Sequence, residues 1–470
     1  MDKKRNLLLV MTDHQRYDTI FMRQCGREVT PNLNRLAEQG TLYERAYTAC
    51  PLCVPARTAL ATGIYPTQTG VVYNDWEDRT AVSAETMHDL LKQAGYRVGH
   101  VGVDHIRVNP PMRERGYDYF SSQAKYEDYA KKQGYILKEP EDIRYVMEAC
   151  DGKLCSEGYS GTRTSIWNHP LEEFKDYFFL KQAEEFLASQ EDDRPFALFV
   201  YLWAPHPPLR VPEPFASMYP PSRISLPDNI GIPAENEPAS RRRGAAAQLA
   251  EGVSDEEWRQ VWASYLGLVS LADDIVGKLL SSLEISGKSE DTVVVFTADH
   301  GDNLGQHSMY QKMEMYESCI RIPLIIREPG QEHERVGKLV SHLDLMPTVC
   351  SLAGIDGSRY EGISLLGRGG RERIPSDRAI FSQYSGTYGY GFIRRAMVTE
   401  RDKYVFDEDG GIECYNLEKD GEEMYNLGND PAYAERIRDM HEICKRFHKQ
   451  HGDYFCWEEA EKKGENPSGG

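Results

Sequence analysis

Cys53 opens the run Cys53-Val54-Pro55-Ala56-Arg57, a thiol four residues ahead of a permanent cation. A thiolate is a nucleophile, but a lone cysteine before a turn is by default a small buried core residue. Other residues able to do chemistry are spread along the chain. Asp13 and the pair Asp299-His300 each follow an apolar run. His105 ends Val101-Gly102-Val103-Asp104-His105, His206 lies in Ala204-Pro205-His206-Pro207-Pro208, and Lys312 ends Met309-Tyr310-Gln311-Lys312. Taken singly, each has an ordinary reading: Asp299 as a helix cap, Arg57 as half of a structural ion pair. Brought to one place, carboxylates, imidazole and sulfur make a ligand set for a divalent cation beside a nucleophile, with Arg57 laying a fixed charge against the carboxylates.

Four short apolar runs, 6–12, 99–103, 196–203 and 292–297, read as buried parallel strands. Between them lie helical patterns, the clearest at 258–283 with Tyr265, Leu268, Ala272, Ile275, Leu279 and Leu283 at helical spacing. This alternation predicts an α/β fold, a large, mostly parallel sheet flanked by helices. Ligand sites in such sheets lie beyond the carboxyl ends of strands, which is where Asp13, His206 and Asp299-His300 fall. Beyond residue 380, β-like runs at 396–399 and 403–406 precede a helical pattern at 432–449. The organisation expected is a catalytic domain over 1–375, a smaller C-terminal α+β subdomain over 376–461 with a small antiparallel sheet and a helix, and a frayed tail over 462–470. Segments 107–167 and 208–257 read as insertions, where substrate choice usually lives. The triplet Arg241-Arg242-Arg243 in the second reads as a solvated loop.

The net charge of -19 over 470 residues excludes a nucleic-acid footprint, and a site for an anionic ester must then be made locally positive by a metal ion and a few fixed cations. No apolar run approaches the roughly 20 residues a membrane span needs, and the start 1–12 reads as a first core strand rather than a leader, so a soluble, cytoplasmic protein is expected. The ten cysteines show no metal-finger spacing and read as free thiols, Cys150 and Cys155 included.

Cys53-Val54-Pro55-Ala56-Arg57 followed by Leu60-Ala61-Thr62-Gly63 resembles the signature of the type I sulfatases and their phosphonate monoester hydrolase relatives in the alkaline phosphatase superfamily. Thr297-Ala298-Asp299-His300-Gly301-Asp302-Asn303-Leu304-Gly305 resembles the second signature of that family. The resemblance runs from about residue 6 to 430, the two insertions excepted, through packing landmarks at 316–323, 342–348 and 414–420. It implies an alkaline-phosphatase-like fold and hydrolysis of sulfate esters of small molecules or saccharides. It also implies oxidation of Cys53 to formylglycine (3-oxoalanine) by a separate maturation enzyme, and a divalent metal held by Asp13, Cys53, Asp299 and His300. Calcium is the usual ion of the sulfatase branch and manganese that of the phosphonate branch, with magnesium a third choice. By the same resemblance Arg57, His105, His206 and Lys312 are catalytic, and Asn74, His206 and Lys312 contact substrate; Asn74 alone reads equally as a turn residue.

Two departures from the family pattern stand out. His14 follows Asp13 where sulfatases carry a second aspartate, and Val103 stands where they carry a lysine, which Arg107 or an insertion residue would have to replace. Asp13-His14-Gln15-Arg16 looks more like the phosphonate branch, so hydrolysis of phosphonate monoesters or phosphodiesters by the same machinery is the alternative. A non-catalytic anion-binding relative is the third reading. Oligomeric state is not legible in the sequence.

Overall fold

The computed structural model describes residues 4–189 and 193–465. Its central sheet holds β1 (Asn6–Thr12), β2 (Thr41–Tyr47), β3 (Arg97–Gly102), β4 (Tyr119–Ser122), β5 (Phe196–Tyr201), β6 (Thr292–Ala298), β7 (Arg321–Ile322), β8 (Leu324–Arg327) and β9 (Glu334–Ser341). The order is β7-β2-β8-β6-β1-β5-β3-β4, with β9 also on β2. Strands β6, β1, β5, β3 and β4 run parallel, while β8 is antiparallel to both β6 and β2. In the centre, Leu9 pairs with Phe199 on one side and Val295 on the other.

Every residue of β1 is buried, as a strand covered on both faces requires. Leu8 and Val10 face one core layer, built with α1 (Pro31–Glu38), α3 (Lys175–Ala188) and α4 (Asp255–Ile285). Leu7, Leu9 and Met11 face the other, built with Leu60 and Ala61 of α2 (Cys53–Thr62) and with Leu345 and Met346 of α5 (Leu345–Ala353). Helix α4 starts three residues before the apolar pattern, because Ser254 and Glu257 close a capping box there. Strand β5 stops at Tyr201, short of the expected 203: the Trp203 and Ala204 amides turn instead to Asp176 Oδ1 at 2.6 and 3.2 Å.

A second, antiparallel sheet follows, β10 (Ile380–Tyr384), β11 (Arg394–Val398), β12 (Asp402–Asp407) and β13 (Ile412–Asn416), against which α6 (Ala434–Gln450) packs. Its Ile380, Tyr384 and Ala396 belong to the same apolar core as Leu8. The final helix α7 spans Trp457–Glu465, so residues 462–465 of the expected frayed tail are helical, and 466–470 lie outside the described residues.

Arg241 is not solvated. It is 2% exposed and pairs with Asp407 at 2.9 Å, with Glu413, and with Glu314 at 3.7 Å, while Arg394 meets Glu314 at 2.7 Å. A charge run on a loop reads as surface, but carboxylates from β12, β13 and the 314 region close around this one arginine. No helix among the described residues is long and apolar enough to cross a membrane.

A candidate metal-binding and catalytic site

The carboxyl ends of β1 and β6 deliver Asp13 and Asp299-His300, and the first turn of α2 delivers Cys53 opposite them. Asp13, His14, Asp299 and His300 are all fully buried, and Cys53 is 2% exposed. Cys53 Sγ lies 3.2 Å from His300 Nε2 and 3.6 Å from Asp13 Oδ1. Arg57, one turn along α2, donates Nε–H to Asp299 Oδ2 and Nη2–H to Asp13 Oδ2, each at 2.8 Å, and its Nη1 has no partner. Gly301 lets the chain pass close behind: a Cβ there would lie 2.0 Å from the Ser318 carbonyl oxygen.

His14 has a left-handed backbone, φ 66°, that turns its ring inward. Its Nδ1 is 2.7 Å from Asp302 Oδ2, its backbone N–H meets Asp299 Oδ1 at 3.3 Å, and its Nε2 meets the Lys312 ammonium. One donor atom each from Asp13, His14, Cys53 and His300 lies within 4.8 Å of the others. Asp299, an expected ligand, stands beside this group, with Oδ1 accepting the His14 and His300 amides and lying 3.6 Å from His300 Nε2.

The donor chemistry fits a divalent cation. Burial, with Lys312 and His206 nearby, holds His14 well below the usual imidazole range, and burial takes His300 down to about 4, so both rings are neutral; His300 has its Nε2 lone pair to offer, while that of His14 faces the Lys312 ammonium. His300 Nδ1 is turned to the Gly301 carbonyl at 3.0 Å and His14 Nδ1 to Asp302, the outer partners that orient ligand imidazoles. Burial and the Asp299 charge push Asp13 up to about 7, while His300 and Arg57 outweigh burial and hold Asp299 down to about 2. The Cys53 thiol, pushed far up by burial and Asp13, is no thiolate, and an unmodified cysteine here is a poor nucleophile.

Lys312 is buried at 4% exposure. Burial works against its charge, but Cys53, Asp13 and Asp299 raise it above the ordinary lysine range. Its Nζ is 3.3 Å from His206 Nε2, and the His206 and His14 rings meet edge-on at 4.4 Å. His105 makes no bond to Cys53 among the described residues; it lies between Trp76 and Trp203, with Nε2 3.2 Å from Gln123 Nε2. Asn74 Oδ1 accepts the Val54 amide at 3.2 Å, which commits its carbonyl to the first turn of α2. Val103 is fully buried in the core, and Arg107 turns away to the Asp75 carbonyl at 2.6 Å and Asp78 at 3.1 Å. Neither position replaces the family's missing lysine.

A family model described as "Sulfatase" matches residues 5–355, and one described as "N-sulphoglucosamine sulphohydrolase, C-terminal" matches 305–450. The chain belongs to the sulfatase family. It is 27% identical to an arylsulfatase of Clostridium perfringens over 94% of this chain and 93% of that one. It is 28% identical to the multifunctional alkaline phosphatase superfamily protein PehA of Trinickia caryophylli, over 96% of each. A phosphonate monoester hydrolase from Silicibacter pomeroyi has the same fold, with a TM-score of 0.75 at 23% identity over 97% of each chain. As a sulfatase, the chain is a sulfuric ester hydrolase of alkaline-phosphatase-like architecture.

Sequence reasoning missed Asp302, which orients His14, although its place three residues after Asp299 in the second signature was a usable signal. It also left His14 as a departure from the sulfatase pattern, because a residue type does not reveal the left-handed backbone that turns the ring inward.

Proposed function

We propose that the site hydrolyses sulfate monoesters with residue 53 as nucleophile, Asp13, Cys53 and His300 holding a divalent cation, and His14 and Asp299 on its rim. The observation that carries this is the meeting of Cys53, Asp13 and His300 from three distant segments on the Arg57 clamp. A bound cation would supply positive charge to the ester oxygens. The mixed imidazole and carboxylate set departs from the all-oxygen cage that calcium takes, so manganese and magnesium stand beside calcium as candidates. Maturation to formylglycine would replace the inert thiol with a nucleophilic oxygen where Sγ now lies. Because Cys53 is buried at the start of a helix with no exposed residue, the maturation enzyme would act before this helix packs.

Lys312 is the group that carries a proton at neutral pH, so it donates to the departing alkoxide, while neutral His206 beside it binds the ester and orients the ammonium. His105, held neutral by burial and by Arg57, accepts the proton on Nε2 when residue 53 is regenerated, giving up the bond that Nε2 accepts from the Gln123 amide. The Asn74 carbonyl steadies the nucleophile's turn, leaving its Nδ2 amide for the anion. Ten free thiols suit a reducing compartment such as the cytoplasm.

A second substrate class, phosphonate monoesters or phosphodiesters, is favoured by His14 and by the apolar Val103. Protein made with a maturation enzyme should show an aldehyde mass on the Cys53 tryptic peptide and cleave 4-nitrophenyl sulfate. A higher kcat/KM for 4-nitrophenyl phenylphosphonate would promote the second class. Binding of either ester with no product from matured, metal-loaded protein would leave an anion-binding relative.

A further inference from the structure

The insertion 107–167 carries an antiparallel hairpin of two strands, Ile143–Cys150 and Lys153–Ser160. Its turn is Asp151-Gly152, both left-handed with φ 52° and 76°, the two-residue connection whose twist matches that of the strands it joins. Such a turn makes Cys150 and Lys153 a hydrogen-bonded pair, and the pairs alternate from there. The second strand therefore spends the main-chain groups of Lys153, Cys155 and Glu157 on the first strand and points those of Leu154, Ser156 and Gly158 outwards. The same alternation turns Met147 outwards on the first strand, and there Gln248 closes the edge: its side-chain amide donates to the Met147 carbonyl at 2.7 Å and accepts the Met147 N–H at 2.9 Å.

The other edge is open. The second strand pairs with no strand but the first, and the outward groups of Leu154, Ser156 and Gly158 have no partner among the described residues. It has no proline and no bulge to blunt it, and Leu154 is 68% exposed on its outer face, with Tyr145 and Met147 exposed on the strand behind. Lys153 is exposed and Glu157 half-buried, and neither has an ion-pair partner among the described residues. The hairpin is fixed from its buried face, where Glu148 accepts the Tyr159 and Thr387 hydroxyls at 2.5 and 2.8 Å, so the open edge is presented already formed.

We propose that this edge is an interface with a second copy of the chain, the two Lys153–Ser160 strands pairing antiparallel about a two-fold axis at Cys155. Leu154 of each copy then makes a hydrogen-bonded pair with Ser156 of the other, about four main-chain bonds in all. Lys153 of each copy faces Glu157 of the other, and Cys155 faces Cys155, at the close positions between those bonds. Charge sets this register. An axis at Leu154 would oppose Glu157 to Asp151, one at Glu157 would oppose two glutamates, and one at Ser156 leaves both charges unpaired. The self-complementary order Lys153, Cys155, Glu157 along one side of the strand is what selects a second copy over a foreign strand.

The test is sedimentation velocity on the full-length, unmatured protein at high micromolar concentration. Wild type should show a monomer–dimer equilibrium, Lys153→Glu should raise the dimer's dissociation constant about tenfold, and adding Glu157→Lys to that variant should restore it. Diamide takes two protons and two electrons from two Cys155 thiols as one S–S bond forms between the copies, and should trap the wild-type dimer with Cys155 on both sides of the linked peptide. Cys155→Ser should lose that link. A monomeric wild type, a dimer indifferent to Lys153→Glu or not restored by the double swap, or oxidation that joins Cys155 only to Cys150 of its own chain overturns the interface.

Discussion

Replacing Arg57 with methionine removes the one guanidinium that holds two buried carboxylates. Arg57, Asp13 and Asp299 are all 0% exposed, and both charge-assisted hydrogen bonds are 2.8 Å long. Breaking a buried ion pair by deleting one partner costs about 3–5 kcal/mol, because the carboxylates left behind have no water and keep only the Lys312 ammonium as a cation. In the metal-free protein that loss should appear as a fall of this size in the free energy of unfolding by urea. It should also depend on pH. Asp13 is already raised to about 7 from 3.8, so the folded state binds a proton the unfolded state does not, and stability rises as pH falls through that window. Without Arg57 the carboxyl rises further, and acid relieves the variant by about 1.4 kcal/mol per pH unit in the range this adds. The cost should therefore be largest near about pH 8, smaller near about pH 5, and reduced by a divalent cation seated on the same oxygens. A metal-free cost below about 1 kcal/mol, as for a surface pair, or one independent of pH, would refute the clamp.

Other perturbations test the rest of the structure. Asp302→Asn should weaken manganese binding by less than about tenfold, measured by titration of the metal-free protein, because His14, which loses the carboxylate that orients it, stands on the rim and not among the ligands. His448 is fully buried, and burial with Arg395 nearby takes it down to about 3 from 6.5, so stability it provides is complete above 6.5 and is lost as pH falls from there towards 3. The unfolding free-energy difference between wild type and His448→Gln should then change by about 1.4 kcal/mol per pH unit below 6.5, and a flat difference would place the imidazole in water. Arg241→Met should cost about 3–5 kcal/mol in urea, since it strands Asp407, Glu413 and Glu314; a loss typical of an exposed loop would contradict the buried network. Folded protein with a free Cys53 thiol should resist a maturation enzyme that converts a Cys53 peptide, as read by mass spectrometry.

Much of this was legible in the sequence. The parallel core could be read because strands buried on both faces are apolar without alternation, and β1 falls on the 6–12 run itself. Cys53, Asp13 and Asp299-His300 could be placed because they end strands or begin a helix, positions that converge on one sheet edge in this architecture. What escaped depended on convergence that no local pattern encodes. His14 is turned inward by a left-handed backbone, and Arg241 is buried by carboxylates more than 70 residues away.

Release of inorganic sulfate from 4-nitrophenyl sulfate by matured, metal-loaded protein, measured beside Cys53→Ala prepared in the same way, tests the central claim most directly. The structure predicts turnover by the wild type and none by a folded variant. Equal release by Cys53→Ala, or no release from wild type whose Cys53 peptide carries the aldehyde mass, would contradict it.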